Sequence, residues 1–201
     1  YSPHPLYDHY GKIESKEEAC KKLNLSPLLN YLLFFGIVRD YKGLDLLLEA
    51  LSFLDLEKLK LRLIVAGEFY SDPKPYLEQI AEHSLENFVI LKQSFIPDNE
   101  VAWYFNTADL VVQPYKTATQ SGVAQIGLHF NKSMMVTNVG GLGEIIPHNK
   151  AGYVVDKNPK EIANAIEDFF VKNKKLAFEN QAAEIKKQFS WSKLTQNLLD
   201  L

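Results

Sequence analysis

Cysteine is nearly missing from this chain: Cys20 stands alone among 201 residues. A single thiol excludes a disulfide framework and a thiolate metal cage. Set in KEEACKK, it reads as a bystander on a surface helix rather than a nucleophile. No apolar run approaches the ~20 residues that a membrane helix needs. No signal-peptide pattern heads the residues, so a cytoplasmic protein is the expectation, with peripheral association at a membrane left open. An excess of positive charge is also missing. The net charge is -3, which gives no reason to expect nucleic acid as a partner. Neither a Walker loop nor a GxGxxG is present, and the scattered histidines suggest no Ser-His-Asp arrangement. No pair of catalytic carboxylates stands out. His4 and His9 lack a carboxylate or thiol set around them, so no metal is expected. Internal repeats and low-complexity segments are absent. What is there is an ordinary globular mixture, 46% apolar and 23% charged.

The chain is organised around Tyr31 to Leu51, YLLFFGIVRDYKGLDLLLEAL. Tyr31 to Phe35 form a short apolar run bounded by Gly36, the pattern of a buried strand. From Leu44 the period becomes helical, with Leu46, Leu47, Leu48 and Leu51 recurring. Between them lies a glycine turn that carries Arg39 and Lys42. Free N–H groups and the positive end of a helix dipole attract anions. Arg39 adds a bidentate fork and Lys42 a mobile point charge. The loop suits phosphate; the competing reading is two solvated loop cations.

Further strands are expected at Leu61–Gly67, Phe88–Leu91, Asp109–Gln113, Met134–Thr137 and Gly152–Val155. Helices fall between them. Ser15 and Glu18 make a capping box. Asp98 is expected to cap the helix of Val101, Ala102 and Phe105, and Ser121 the helix that runs to Phe130. Asn158 and Pro159 open the helix from Lys160 to Lys172. Six buried strands alternating with helices predict an α/β fold: a Rossmann-like, doubly wound, mainly parallel six-stranded sheet. Residues 1–14, rich in proline and aperiodic, read as a linker from a preceding domain, with Pro3 and Pro5 opposing a helix. Residues 15–188 read as the domain, and 189–201 as a helical tail.

Ligands of such sheets sit beyond the carboxyl ends of the strands. Five unusual loops follow strands: Gly36–Lys42, Gly67–Tyr70, Ser94–Pro97, Pro114–Gly122 and Asn138–Gly141. All five would line one crevice. Ser121 and Gly122 bring a second helix N-terminus there, or serve simply as cap and packing glycine. Gly140–Gly141 is a ligand loop or only a turn. Glu68 and Glu144 are placed to accept ligand hydroxyls or to favour local structure. His148 reads as a surface residue and His129 as a packed one.

GIVRDYKGLDLLLEAL, IVAGEF, FIPDNEVAWYFNTADLVVQPY, SGVAQIGLHFNKSMMVTNVGGLGEII and AGYVV, in that order and spacing, resemble the carboxyl-terminal half of a family 4 glycosyltransferase. The resemblance covers about residues 30 to 170. HPLYDHYG is similar to that family's interdomain linker and FSWSKL to its closing segment. The resemblance implies the GT-B fold, two Rossmann-like domains facing a cleft, with this chain as the donor-binding domain and the acceptor domain missing. It implies a nucleotide sugar (UDP-, GDP- or ADP-linked) as substrate, retaining transfer, no cofactor, no metal, and peripheral membrane association only through the full-length enzyme. Arg39 and Lys42 match the residues that bind the donor diphosphate, with Gly36 beside them. Phe95 and Ile96 match the loop that holds the base through backbone groups. Ser121, Gly122 and Val123 match the helix N-terminus on the phosphates; Glu68 joins the donor site. The resemblance breaks at two family glutamates, whose places fall on Ala118 and Ile126. Gln125, adjacent, is the candidate to replace the ribose contact. A non-catalytic nucleotide-binding or partner domain is the alternative reading, and an unrelated flavodoxin-like sheet a third.

Overall fold

Residues 6, 7, 9–189 and 195 are described in a computed structural model of the chain. Its strands are β1 (Asn30–Phe35), β2 (Leu61–Ala66), β3 (Val89–Lys92), β4 (Leu110–Gln113), β5 (Met134–Thr137) and β6 (Gly152–Val155). The helices are α1 (Lys16–Leu23), α2 (Leu44–Leu51), α3 (Lys74–Glu82), α4 (Asp98–Thr107), α5 (Gly122–His129), α6 (Leu142–Ile145), α7 (Pro159–Val171) and α8 (Lys175–Ile185). The strands form one sheet in the order β3-β2-β1-β4-β5-β6, parallel at every pairing. The expected Rossmann-like doubly wound sheet is the fold. Its order reverses between β1 and β4, and such a reversal opens a crevice beyond the carboxyl ends of those two strands.

The apolar runs are unbroken because both faces of the sheet are covered. Successive side chains of a strand point to opposite faces. In β1, Leu32 and Phe34 accordingly join one buried cluster, while Tyr31 and Leu33 join the other. The first cluster is completed by Leu44, Leu47 and Leu51 of α2, Ile80 of α3, and Ile162, Ile166 and Phe169 of α7. The second is completed by Cys20 of α1, Val101 and Phe105 of α4, Ala124 and Leu128 of α5, and Ala182 of α8.

Several local expectations are corrected. Cys20 is fully buried, not on a surface. Only Ala19 and Cys20 of the eight residues of α1 are buried, and this narrow stripe is what α1 sets against α4. Burial pushes the Cys20 thiol up, keeping it protonated and inert. Asp98 does not cap α4 but is its first residue. Pro97, with φ -61 and ψ 147, holds the extended conformation of the N-cap, and no side chain bonds there. Asp109 precedes β4 rather than opening it. Its buried carboxylate binds the Lys16 and Lys175 ammonium groups at 2.6 Å each and the Tyr31 N–H at 2.8 Å. It thereby ties α1 and α8 to the amino-terminal edge of the sheet.

The described residues before α1 form no helix and lie along the domain. Leu6, Tyr7 and Tyr10 pack on the second cluster, the Asn106 amide donates to the Lys12 carbonyl at 3.0 Å, and the Leu6 N–H donates to the Phe189 carbonyl at 3.0 Å. Pro3, His4 and Pro5 lie outside the described residues, as does most of the FSWSKL segment. Among the described residues no helix is long and apolar enough to cross a membrane.

Candidate functional site

The reversal point of the sheet places the loop after β1 opposite the first turn of α5. Arg39 precedes a short 3-10 turn, Asp40–Lys42, which ends on Gly43 in the left-handed region at φ 70. A Cβ there would lie 2.0 Å from the Pro114 carbonyl oxygen, so only glycine lets this loop close on the one after β4. Gly36 is left-handed too, at φ 87. A Cβ on it would sit 3.1 Å from the Lys42 ammonium and 3.7 Å from Val123 of α5. The bare backbone of Gly36 thus leaves a space bordered by Lys42 on one side and α5 on the other.

Lys42 is the unusual group. It is 8% exposed. Its ammonium donates to the Phe35 carbonyl at 3.5 Å and stands 5.9 Å from the centre of the Tyr115 ring. Among the described residues no carboxylate lies within ion-pair distance of Lys42 or of Arg39. Burial, and then repulsion from Arg39, push the Lys42 ammonium down to about 8. Burying a charge without a partner is costly, and two neighbouring cations raise the cost. An anion in the space beside Gly36 would relieve it. Arg39 is exposed, its guanidinium carbon 4.2 Å from the centre of the Tyr70 ring.

On the side of Gly36 is a cavity of about 130 Å³, whose lining includes neither Arg39 nor Lys42 nor any residue of α5. Four of the residues singled out in the sequence line it together: Gly36, Glu68, Phe95 and Ile96. Ile96 is buried and Phe95 is 69% exposed, so the phenyl ring stands at the mouth. The hydroxyl of Ser121 turns inward. It donates to Gln113 Oε1 at 2.6 Å and accepts from the Ala124 N–H at 3.3 Å. Ser121 therefore anchors α5 to the end of β4, and Gly122, exposed, and Val123 form the free first turn. Gln125, one turn on, is 8% exposed and its Oε1 has no hydrogen-bond partner. Ile126 is buried in the second core cluster, and the Ala118 carbonyl is pressed against Gly140. Neither position offers a carboxylate. His148 is exposed, its Nδ1 accepting the Val154 N–H, and His129 packs on Phe130.

Four contributors escaped the sequence reading. Tyr10, from the supposed linker, and Asp98 line the cavity with the others. Tyr70 supports Arg39, and Tyr115 supports Lys42. For the two last the signal was available: each directly follows or lies within a loop already marked as unusual.

The family model of glycosyl transferases group 1 matches residues 30–171. An uncharacterized glycosyltransferase of Methanocaldococcus jannaschii, MJ1178, is 29% identical over 168 residues, covering 82% of this chain and 45% of that protein. The chain spans about half the length of the curated relatives it matches. Among solved structures, sucrose-phosphate synthase from Thermosynechococcus elongatus superposes with a TM-score of 0.84 at 20% identity, over 98% of this chain and 50% of that one. The carboxyl-terminal domain of LpcC, a group 1 glycosyl transferase of Francisella tularensis, does so at 0.76 and 19% identity, over 89% and 94%. Anabaena HepE, solved in complex with UDP, matches at 0.76 and 20% identity, over 92% and 51%. These structures share the fold. The family match extends over well more than half of the residues, and the chain belongs to the glycosyl transferases group 1.

Proposed function

We propose that this chain is the donor-binding half of a two-domain glycosyltransferase, which moves a sugar from a nucleoside-diphosphate sugar to an acceptor with retention. The observation that carries the reading is Lys42, a buried cation with no carboxylate within ion-pair distance among the described residues, next to the space beside Gly36 at the reversal point of the sheet. As the bond from the sugar to the diphosphate breaks, negative charge grows on the leaving oxygen. Preorganised cations and helix dipoles aimed at that charge lower the barrier. In this reading Lys42 and Arg39 bind the diphosphate, and the first turn of α5, Gly122 and Val123, adds backbone N–H groups. The cavity at Phe95 and Ile96 takes the base, with UDP, the ligand solved in HepE, as the first nucleotide to try. The unpartnered Gln125 Oε1 is an acceptor for a ribose hydroxyl.

The acceptor site belongs, in this reading, to a second domain, in keeping with a chain that spans about half of its relatives. The domain alone would bind nucleotide and transfer little. The test is calorimetry with UDP, GDP, ADP and their sugars on wild type, Arg39→Ala and Lys42→Ala. Each lost charge-assisted contact should cost about 1.5–3 kcal/mol. Binding that neither substitution disturbs would move the site elsewhere. A second reading, a domain that binds nucleotide or a protein partner without catalysis, is favoured by one observation: Ala118 and a buried Ile126 where the family resemblance calls for carboxylates. Sugar transfer by a two-domain chain carrying these residues would exclude it.

A further inference from the structure

The two cations of the candidate site are flanked along the chain by two carboxylates. Asp40 directly follows Arg39, and Asp45 lies three residues beyond Lys42 in the first turn of α2. Neither pairs with the cations. Both are taken by Lys116, from the loop after β4, whose ammonium lies 2.7 Å from Asp40 Oδ1 and 3.0 Å from Asp45 Oδ2. The Lys116 side chain is 30% exposed, whereas that of Asp40 is 84% exposed. The less exposed partner thus holds the more exposed one.

Resting on the donor-site reading, we propose that Lys116 is a positioning residue that keeps Arg39 and Lys42 available for a diphosphate by sequestering Asp40 and Asp45. Two observations separate this from a mere clip between loops. The loop is already held without the Lys116 side chain: the Lys116 backbone N–H donates to the Tyr41 carbonyl at 2.7 Å, the Tyr41 and Tyr115 rings meet edge-on, and Gly43 closes on the Pro114 carbonyl. These contacts survive any change of the Lys116 side chain. The carboxylates also have few other partners. Asp45 Oδ1 is buried without a hydrogen bond, and among the described residues Asp40 has Lys116 as its one ion-pair partner. Released from Lys116, the acids could turn to Arg39, the chain neighbour of Asp40, or to Lys157, whose ammonium donates to the Lys116 carbonyl at 3.2 Å. A carboxylate on Arg39 would compete directly with a bound diphosphate, and both acids would add negative charge near Lys42. Lys116 also offsets one of the two negative charges that otherwise repel an approaching anion.

The experiment measures binding of UDP, GDP and ADP by calorimetry to wild type, Lys116→Met, Lys116→Arg and the triple variant Asp40→Asn/Asp45→Asn/Lys116→Met, with thermal unfolding of each. Competition from the freed carboxylates should weaken binding roughly three- to tenfold in Lys116→Met. The deficit should shrink at high salt, where exposed charges are screened. Lys116→Arg should bind like wild type, since it keeps the charge. The decisive arm is the triple variant, which should return to within about twofold of wild type because the competitors are gone while the backbone contacts remain. Lys116→Met binding as tightly as wild type would overturn the proposal. So would a loss that the triple variant fails to restore while its unfolding temperature stays near that of wild type, since the side chain would then act only as a clip. If wild type binds none of the three nucleotides, the donor-site reading itself fails. If Arg39→Ala and Lys42→Ala lose binding but Lys116→Met does not, only this inference does.

Discussion

Replacing Lys42 with methionine should stabilise the chain and impair it together. The side chain is 8% exposed, and its ammonium is pushed from 10.5 to about 8, by burial first and Arg39 second. That displacement corresponds to about 3 kcal/mol of disfavour for the charged form in the folded state. Methionine keeps the volume and removes the charge, so at pH 7 the variant should gain about 1–3 kcal/mol, the range found when buried charges give way to apolar groups. The pH dependence follows from the direction of the displacement. A lysine depressed by folding releases its proton first in the folded chain. From about pH 8 to 10.5 the unfolded chain then holds more protons, and wild-type stability rises with pH through that window. The gap between variant and wild type should therefore narrow by about 2 kcal/mol between pH 7 and pH 9.5. Binding moves the opposite way. Loss of the charge-assisted contact should weaken nucleoside-diphosphate binding roughly 10- to 100-fold, and wild-type affinity should itself decline above about pH 8 as Lys42 loses its proton. Urea unfolding at the two pH values, with calorimetry beside it, tests both. A methionine variant less stable than wild type at pH 7, with a gap indifferent to pH, would refute the argument that Lys42 carries an uncompensated buried charge.

The other predictions concern the frame around the site. Asp109→Ala strands the Lys16 and Lys175 ammonium groups that now share one carboxylate, and urea unfolding should show a loss of about 3–5 kcal/mol; a loss under ~1 kcal/mol would mean the network is solvated. Gly43→Ala places a methyl 2.0 Å from the Pro114 carbonyl at φ 70, so at least ~2 kcal/mol should be lost, with nucleotide binding weakened as the loop shifts. Ser121→Ala removes the α5 cap and the bond to Gln113; a cost of about 1–2 kcal/mol is expected, and thermal unfolding would reveal its absence.

The fold was legible because its information is local. Each strand is a short apolar run closed by glycine, proline or a polar turn, and helices such as α2 and α7 carry a buried stripe at helical spacing, so the strand–helix alternation could be read without knowing any contact. Arg39, Lys42 and the glycines around them could be marked in the sequence as a candidate anion loop, but not told from two solvated loop cations; the burial of Lys42 is what the structure adds. Partnerships across long stretches of chain were not legible. Lys116 meets Asp40 across 76 residues and Lys16 meets Asp109 across 93, and nothing in either neighbourhood announces the other. Cys20 misled because a mostly polar helix of eight residues hides a buried stripe only two residues wide. Ser121 was recognised as a cap, but the inward turn of its hydroxyl depends on Gln113, whose role at the end of β4 has no signature in sequence.

The sheet is joined unevenly. β1 pairs with β2 at six positions, from Asn30 opposite Leu61 to Phe35 opposite Ala66. Across the reversal it pairs with β4 at two, Leu32 opposite Leu110 and Leu33 opposite Val111. In mechanical terms the sheet is two three-stranded plates, β1-β2-β3 and β4-β5-β6, stitched by a short seam at the centre. Lys42 hangs from one half while α5 springs from the other. A multivalent anion bound as proposed, between Lys42 and the first turn of α5, would span the two halves and act as a rivet across the line where the sheet reverses.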